Sequence, residues 1–241
     1  MTESALNMLA PVRTLDRAIT GIVRGVLAPP HYLSNELARF QKVRAKTLDM
    51  LGTVTPEQAQ WSPRAGAWSI LQIADHLLRS EELHRGQFER LVEMAKNGKG
   101  RSLYVSFQEV NTTATLIPRA AVSMFETPVR MFTLFVPHVL RRAIVRYPLV
   151  SALNPNASEP RDGLTLDKLR QDLAASLTAT VKFLQGPLPA DLERLTIDHP
   201  VIGSNNIVEL LSIMSAHEER HQGQIERLRK NDAFPKAAEG R

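Results

Sequence analysis

Hydrophobic positions recur at helical spacing along most of the chain, in blocks separated by proline, glycine and polar clusters. Within residues 1–29, Leu15, Ile19, Ile22 and Val26 form an amphipathic run that Pro29 and Pro30 end. From Ser34 to about Leu51, Leu37, Phe40, Val43 and Leu48 return to one side of a predicted helix, and Ser34 suits its cap. A second long helix is predicted from Ser69 to about Lys96. Its stripe is Ile70, Ile73, Leu77, Phe88 and Leu91, and Asn97, Gly98 and Gly100 stop it. Thr165 caps a third, reaching about Leu184 with Asp167 in its first turn. The strongest helical pattern runs from Asn206 to about Lys230.

Between the second and third of these helices the pattern breaks up. Pro118, Pro128, Pro137, Pro148, Pro155 and Pro160 divide it into short pieces, and no acid occurs between Glu126 and Glu159. The expected fold class is all-α: a four-helix up-down bundle over residues 30–241, with an N-terminal helical extension at 1–29 and a helical insertion at about 101–163.

Composition narrows the chemistry. The chain has no cysteine, which excludes disulfides, thiolate metal sites and cysteine nucleophiles together and leaves His, Asp and Glu as metal ligands. No stretch of 18 uncharged apolar residues predicts a membrane span. Glu3, Arg13 and Asp16 do not follow a basic-then-apolar leader layout, so the expected location is cytoplasmic. A formal charge of +5 with three Tyr and two Trp argues against a nucleic-acid platform.

The sharpest local signal is AHEERHQGQ, which places His217 and His221 four residues apart on the last helix. Residues at that spacing share a face, so both imidazoles can reach one divalent ion. The face through Leu210, Ile213, His217, His221, Gln224 and Leu228 is otherwise core-like, and two unpaired imidazoles are costly to bury there. The same string fits the zincin pattern H-E-x-x-H with Glu218 as general base, but the sequence offers little strand signal for the sheet that reading requires. A third ligand must come from elsewhere. On helical angles His84 lies nearer the middle of the second helix's apolar stripe than His76, so geometry leaves both open.

The block AWSILQIADHLLRSEE, the preceding QWSPRAGAW and the later HPVIGSNNIVELLSIMSAHEERHQGQIERL resemble the DinB-like (YfiT-like) superfamily of metal-dependent enzymes over about residues 34–97 and 160–230. The resemblance implies that His76, His217 and His221 hold a divalent metal: nickel, zinc, iron or manganese. Three neutral ligands leave a coordination position open, the mark of a catalytic site. Gln224, one turn beyond His221, and Glu218 or Asp75 are candidates to support the ligands. As bare pattern, Asp75 and Glu218 read as solvated helix groups, whereas Gln224 lies on the inward face.

Two functions follow as expectations. One is a metal-dependent hydrolase or low-molecular-weight thiol S-transferase acting on a small-molecule substrate. The other is a non-catalytic helical protein with a structural metal, whose basic apolar segment binds a partner or a membrane surface. In that segment, Arg141, Arg142 and Arg146 accompany Phe132, Leu134, Phe135, Val139, Leu140 and Ile144, and a lid or a homodimer contact is preferred to a membrane surface. His31 and His138, each after a proline, read as surface or packing residues, and His199 reads as shaping a loop.

Overall fold

The structure, a computed structural model, describes residues 31–106, 109, 158–189, 191–200 and 202–236. The N-terminal extension at 1–29, most of the insertion at about 101–163, the basic segment and His138 lie outside the described residues.

The elements in order are α1 His31–Gly52, the short α2 Pro56–Gln60, α3 Ile70–Lys96, β1 Ser102–Tyr104, α4 Leu166–Leu184, a 3₁₀ turn at Leu192–Arg194, β2 Thr196–His199, β3 Gly203–Asn206 and α5 Ile207–Arg229. Each predicted long helix is present, α1 starting three residues early at His31. The caps account for the sharp starts. Ser69 accepts from the Gln72 N–H while Gln72 accepts from the Ser69 N–H, and Asn206 and Glu209 do the same at α5. Thr165 caps α4 through the Lys168 N–H.

The four long helices pack in a ring, α1 against α5, α5 against α3, α3 against α4 and α4 against α1. Two apolar clusters fill the interior. One joins Leu33, Leu37 and Phe40 to Phe88, Leu91, Leu184, Leu210 and Leu211. The other joins Met50 and Leu51 to Ile70, Ile73, Leu77, Leu166, Leu169, Ile225 and Leu228. The starts of α1 and α5 therefore share one end, and the starts of α3 and α4 share the other. Cross-helix pairs agree: Arg39 meets Glu219 and Lys46 meets Glu226, so α1 and α5 run parallel. The order of directions is up, down, down, up rather than the strict alternation expected. The chain leaves α3 at the first cluster, where Leu103 and Val105 are buried, and returns to its start at Ser158.

The all-α expectation needs a second correction. A three-stranded sheet, in the order β1-β2-β3, closes the end where α5 begins. β1 is parallel to β2, pairing Leu103 with Ile197, and β2 is antiparallel to β3, pairing Ile197 with Asn205. Leu103 and Ile197 add to the first apolar cluster. Strands of three or four residues hold at most two inward positions each, too few to register as alternation in a sequence.

Candidate metal centre

α3 brings His76 into the bundle seven residues after its cap, and α5 brings His217 and His221 one turn apart on its inward face. His76 and His221 are buried, and His217 is half-buried. Nε2 of His217 lies 3.2 Å from Nε2 of His76 and 3.1 Å from Nε2 of His221. The ligand atoms of all three lie within 4.8 Å of one another, and among the described residues no fourth His, Asp or Glu joins them.

Hydrogen bonds behind the rings decide where the protons are. The Nδ1–H of His76 donates to the Ser158 carbonyl at 2.8 Å, and that of His221 donates to Gln224 Oε1 at 3.0 Å. With the proton on Nδ1, each neutral ring turns a bare Nε2 lone pair toward His217. His217 has one Nε2 and can donate to only one of them. At least one pair of lone pairs then faces another across about 3 Å, which only a cation resolves. A proton does not serve at neutral pH. Burial pushes all three histidines below their ordinary range, His221 down to about 3, and the neighbouring imidazoles push His217 and His221 further. Two nitrogens on one divalent ion at ~2.1 Å stand roughly 3.0–3.4 Å apart at octahedral or tetrahedral angles, a spacing the His217 contacts already have. The donor set fits a borderline divalent metal.

Trp68 covers the site. Its ring lies 4.8 Å from that of His76 and 6.3 Å from that of His221, nearly parallel to the latter. It stands just before the Ser69 cap, so the turn that starts α3 also places an apolar wall on two of the histidines.

Gln224 supports His221 directly. Glu218 turns away: its carboxylate takes two bonds from Arg44 and one from Thr47, all on α1, and hydrogen-bonds none of the three histidines. The solvated reading of Glu218 and Asp75 gives way, since both are buried to about 1 % exposure. Asp75 holds the backbone N–H and the guanidinium of Arg161 at 2.6 Å each. Arg79 donates to the Glu159 carbonyl. Together these pin residues 158–161 along α3 and hold the Ser158 carbonyl on His76. Sequence reasoning missed that carbonyl, and a backbone acceptor leaves no residue-type signal.

His84, the open alternative on α3, is outside the cluster. Its Nδ1 pairs with Gln87 at 3.1 Å, and its ring lies 6.2 Å from that of His199. His199 ends β2, buried, and its Nδ1 accepts from the Ile202 N–H at 3.4 Å. The structure thus brings together His76, His217 and His221 and sets His84 aside.

No curated protein and no solved structure matches the chain. The family model described as the DinB superfamily matches residues 39–225, a span that runs from α1 to the last turns of α5 and takes in all three histidines with Gln224, and the chain belongs to that superfamily.

Proposed function

We propose that the protein is a metal-dependent enzyme whose divalent cation (nickel, zinc, iron or manganese) is held by His76, His217 and His221. The reaction we assign is hydrolysis of a small-molecule substrate or S-transfer of a low-molecular-weight thiol. The observation that carries this reading is the convergence of three imidazoles whose ligand nitrogens all lie within 4.8 Å of one another. When bound, the cation supplies Lewis acidity at its open position, where oxygen and sulfur ligands give up protons more readily. The chain's own residues do the rest. Ser158 and Gln224 hold the Nδ1 protons of His76 and His221, which fixes each ring's tautomer and orientation. Trp68 excludes water from one side.

The proposal places the enzyme in the cytoplasm, with residues 30–241 as the catalytic domain, and includes a homodimer. A purely structural metal calls for a fourth protein ligand, and none lies in the cluster among the described residues. No helix among them is long and apolar enough to cross a membrane.

The test is purification without chelators, elemental analysis, and assay of the loaded protein. The assays use small carboxylic esters for hydrolysis and a low-molecular-weight thiol with an aryl halide for transfer. A stoichiometric metal with turnover in either assay supports the reading. Absence of metal, even after reconstitution with each of the four ions, sinks it.

A further inference from the structure

Three ionic side chains lie buried between the two apolar clusters, one from each of three helices. Arg44 on α1, Glu81 on α3 and Glu218 on α5 are each exposed by no more than 2 %. Arg44 Nε and Nη2 donate to the two oxygens of Glu218 at 2.7 and 2.9 Å, a two-pronged grip. Arg44 Nη1 donates to Glu81 at 2.7 Å and to the Leu173 carbonyl of α4 at 3.1 Å. Thr47 and Thr180 each add a hydrogen bond, donating to Glu218 at 2.6 Å and to Glu81 at 2.7 Å. One guanidinium, carried by α1, thus bonds to each of the other three long helices.

Such a cluster is a poor device for stability alone. Desolvating the charges consumes most of what their attraction returns, and apolar side chains of similar volume hold a bundle as well or better. What the ionic cluster adds is direction. A planar fork engaged at both prongs fixes the rotation of the helix that carries the carboxylate, and the second carboxylate fixes the distance to a further helix. The two helices so fixed carry the histidines. Glu218 follows His217 by one residue, and Glu81 follows His76 by five. A rotation of α5 by about 20° moves an imidazole nitrogen lying ~6 Å from the helix axis by ~2 Å. A metal site tolerates only ~0.2 Å.

We propose that Arg44 is a positioning residue of the metal centre: through Glu218 and Glu81 it sets the rotation of α5 and its spacing from α3, so that His217, His221 and His76 converge. The proposal rests on the reading of those histidines as a metal site.

The test uses the full chain and two variants, Arg44→Lys, which keeps the charge and removes the fork, and the triple variant Arg44→Met/Glu81→Leu/Glu218→Leu, which replaces the cluster with apolar volume. Helicity and melting temperature are measured on the metal-free proteins, zinc affinity by chelator competition, and ligand geometry by the visible spectrum of the cobalt form. The expected result is a triple variant that melts within a few degrees of the wild type yet binds zinc about 10–100-fold more weakly, with an altered cobalt spectrum. Arg44→Lys is expected to shift the same way. A folded variant with unchanged zinc affinity and cobalt spectrum overturns the proposal. So does failure of both variants to fold, which assigns the cluster to stability. Wild-type protein that binds neither ion refutes the metal reading instead, and is distinguished by that control.

Discussion

The Nε2 atoms of His217 and His221 stand 3.1 Å apart across one turn of α5, with Nε2 of His76 3.2 Å from the first of them. His217 is the nitrogen within contact of both others. On the proposed reading its loss removes a ligand, separates the remaining two and opens the half-buried side of the site. Replacing His217 with Ala is expected to weaken metal binding by on the order of 100-fold, measured by chelator competition and by elemental analysis of purified protein. His76→Ala is expected to do the same. Equimolar metal in purified His217→Ala protein would remove it from the ligand set.

His84 tests the alternative that helical angles leave open. Its Nδ1 is engaged by Gln87 and its ring faces His199, so it stands apart from the three-nitrogen cluster. His84→Ala is expected to copurify with the same metal content as the wild type. Loss of metal in that variant, with retention in His76→Ala, would transfer the third ligand to His84.

The contrast between these two residues shows what the sequence could convey. Spacing alone put His217 and His221 on one face, because a helix fixes the relation between positions four apart. Nothing in spacing relates α3 to α5, and the stripe of α3 is broad enough to admit both His76 and His84. The choice came from family likeness in the sequence and from Nε2 contacts in the structure. The helices were legible because Ser69, Thr165 and Asn206 are strong capping residues ahead of long apolar stripes. The sheet was not, since its strands are too short for a period to show. Nor were the directions of the helices: they depend on where the chain re-enters at Ser158, a long-range fact. Glu218 was misread for a related reason. As bare pattern it reads as a solvated helix group, but the 100° step between neighbours on a helix turns it from the histidines onto Arg44, where it is buried.

Gln224 holds His221 from behind, and the bond supplies orientation rather than a ligand. Gln224→Ala is expected to lower metal affinity about 10-fold, with a melting temperature near that of the wild type in the metal-free form, because the side chain is only half-buried. Gln224→Glu keeps an acceptor for the Nδ1–H and is expected to recover much of the affinity. Equal affinities across the three proteins, from isothermal titration with zinc, would show that His221 is oriented without it.

Asp75 reaches the site by way of Arg161. The carboxylate anchors the backbone N–H of Arg161, and three residues earlier the Ser158 carbonyl meets His76. Asp75→Asn removes the charge and leaves one acceptor oxygen, so the segment is expected to hold less firmly and zinc affinity to fall by roughly 3–10-fold, less than for a ligand. The change is read against Arg161→Lys, which keeps the backbone bond and is expected to have the smaller effect. A larger loss in Arg161→Lys than in Asp75→Asn would place the anchor on the guanidinium, which is half exposed.

His84 and His199 make metal-free stability depend on pH in a direction the burial fixes. Burial holds both rings below their ordinary range, His199 down to about 3, and the His84 charge adds to the depression of His199. As pH falls below about 6.5, the unfolded chain takes up protons at these positions and the folded chain does not, so the folded state loses stability between about 6.5 and the lowered values. Each fully depressed histidine contributes a slope of up to ~1.4 kcal/mol per pH unit in that window. Among the carboxylates, Glu109 is lowered from about 4.5 chiefly by its hydrogen bonds to Arg90 and Ser106, against burial, so its stabilising contribution is lost only below that value. Between pH 7 and 5 the depressed histidines all add to the slope, the three of the metal centre included. Urea midpoints measured in chelator at pH 7, 6 and 5 are expected to fall steadily for the wild type and less steeply for His199→Gln, whose amide has no proton to gain. Identical slopes in the two proteins would show that His199 takes up its proton in the folded state as readily as in the unfolded one.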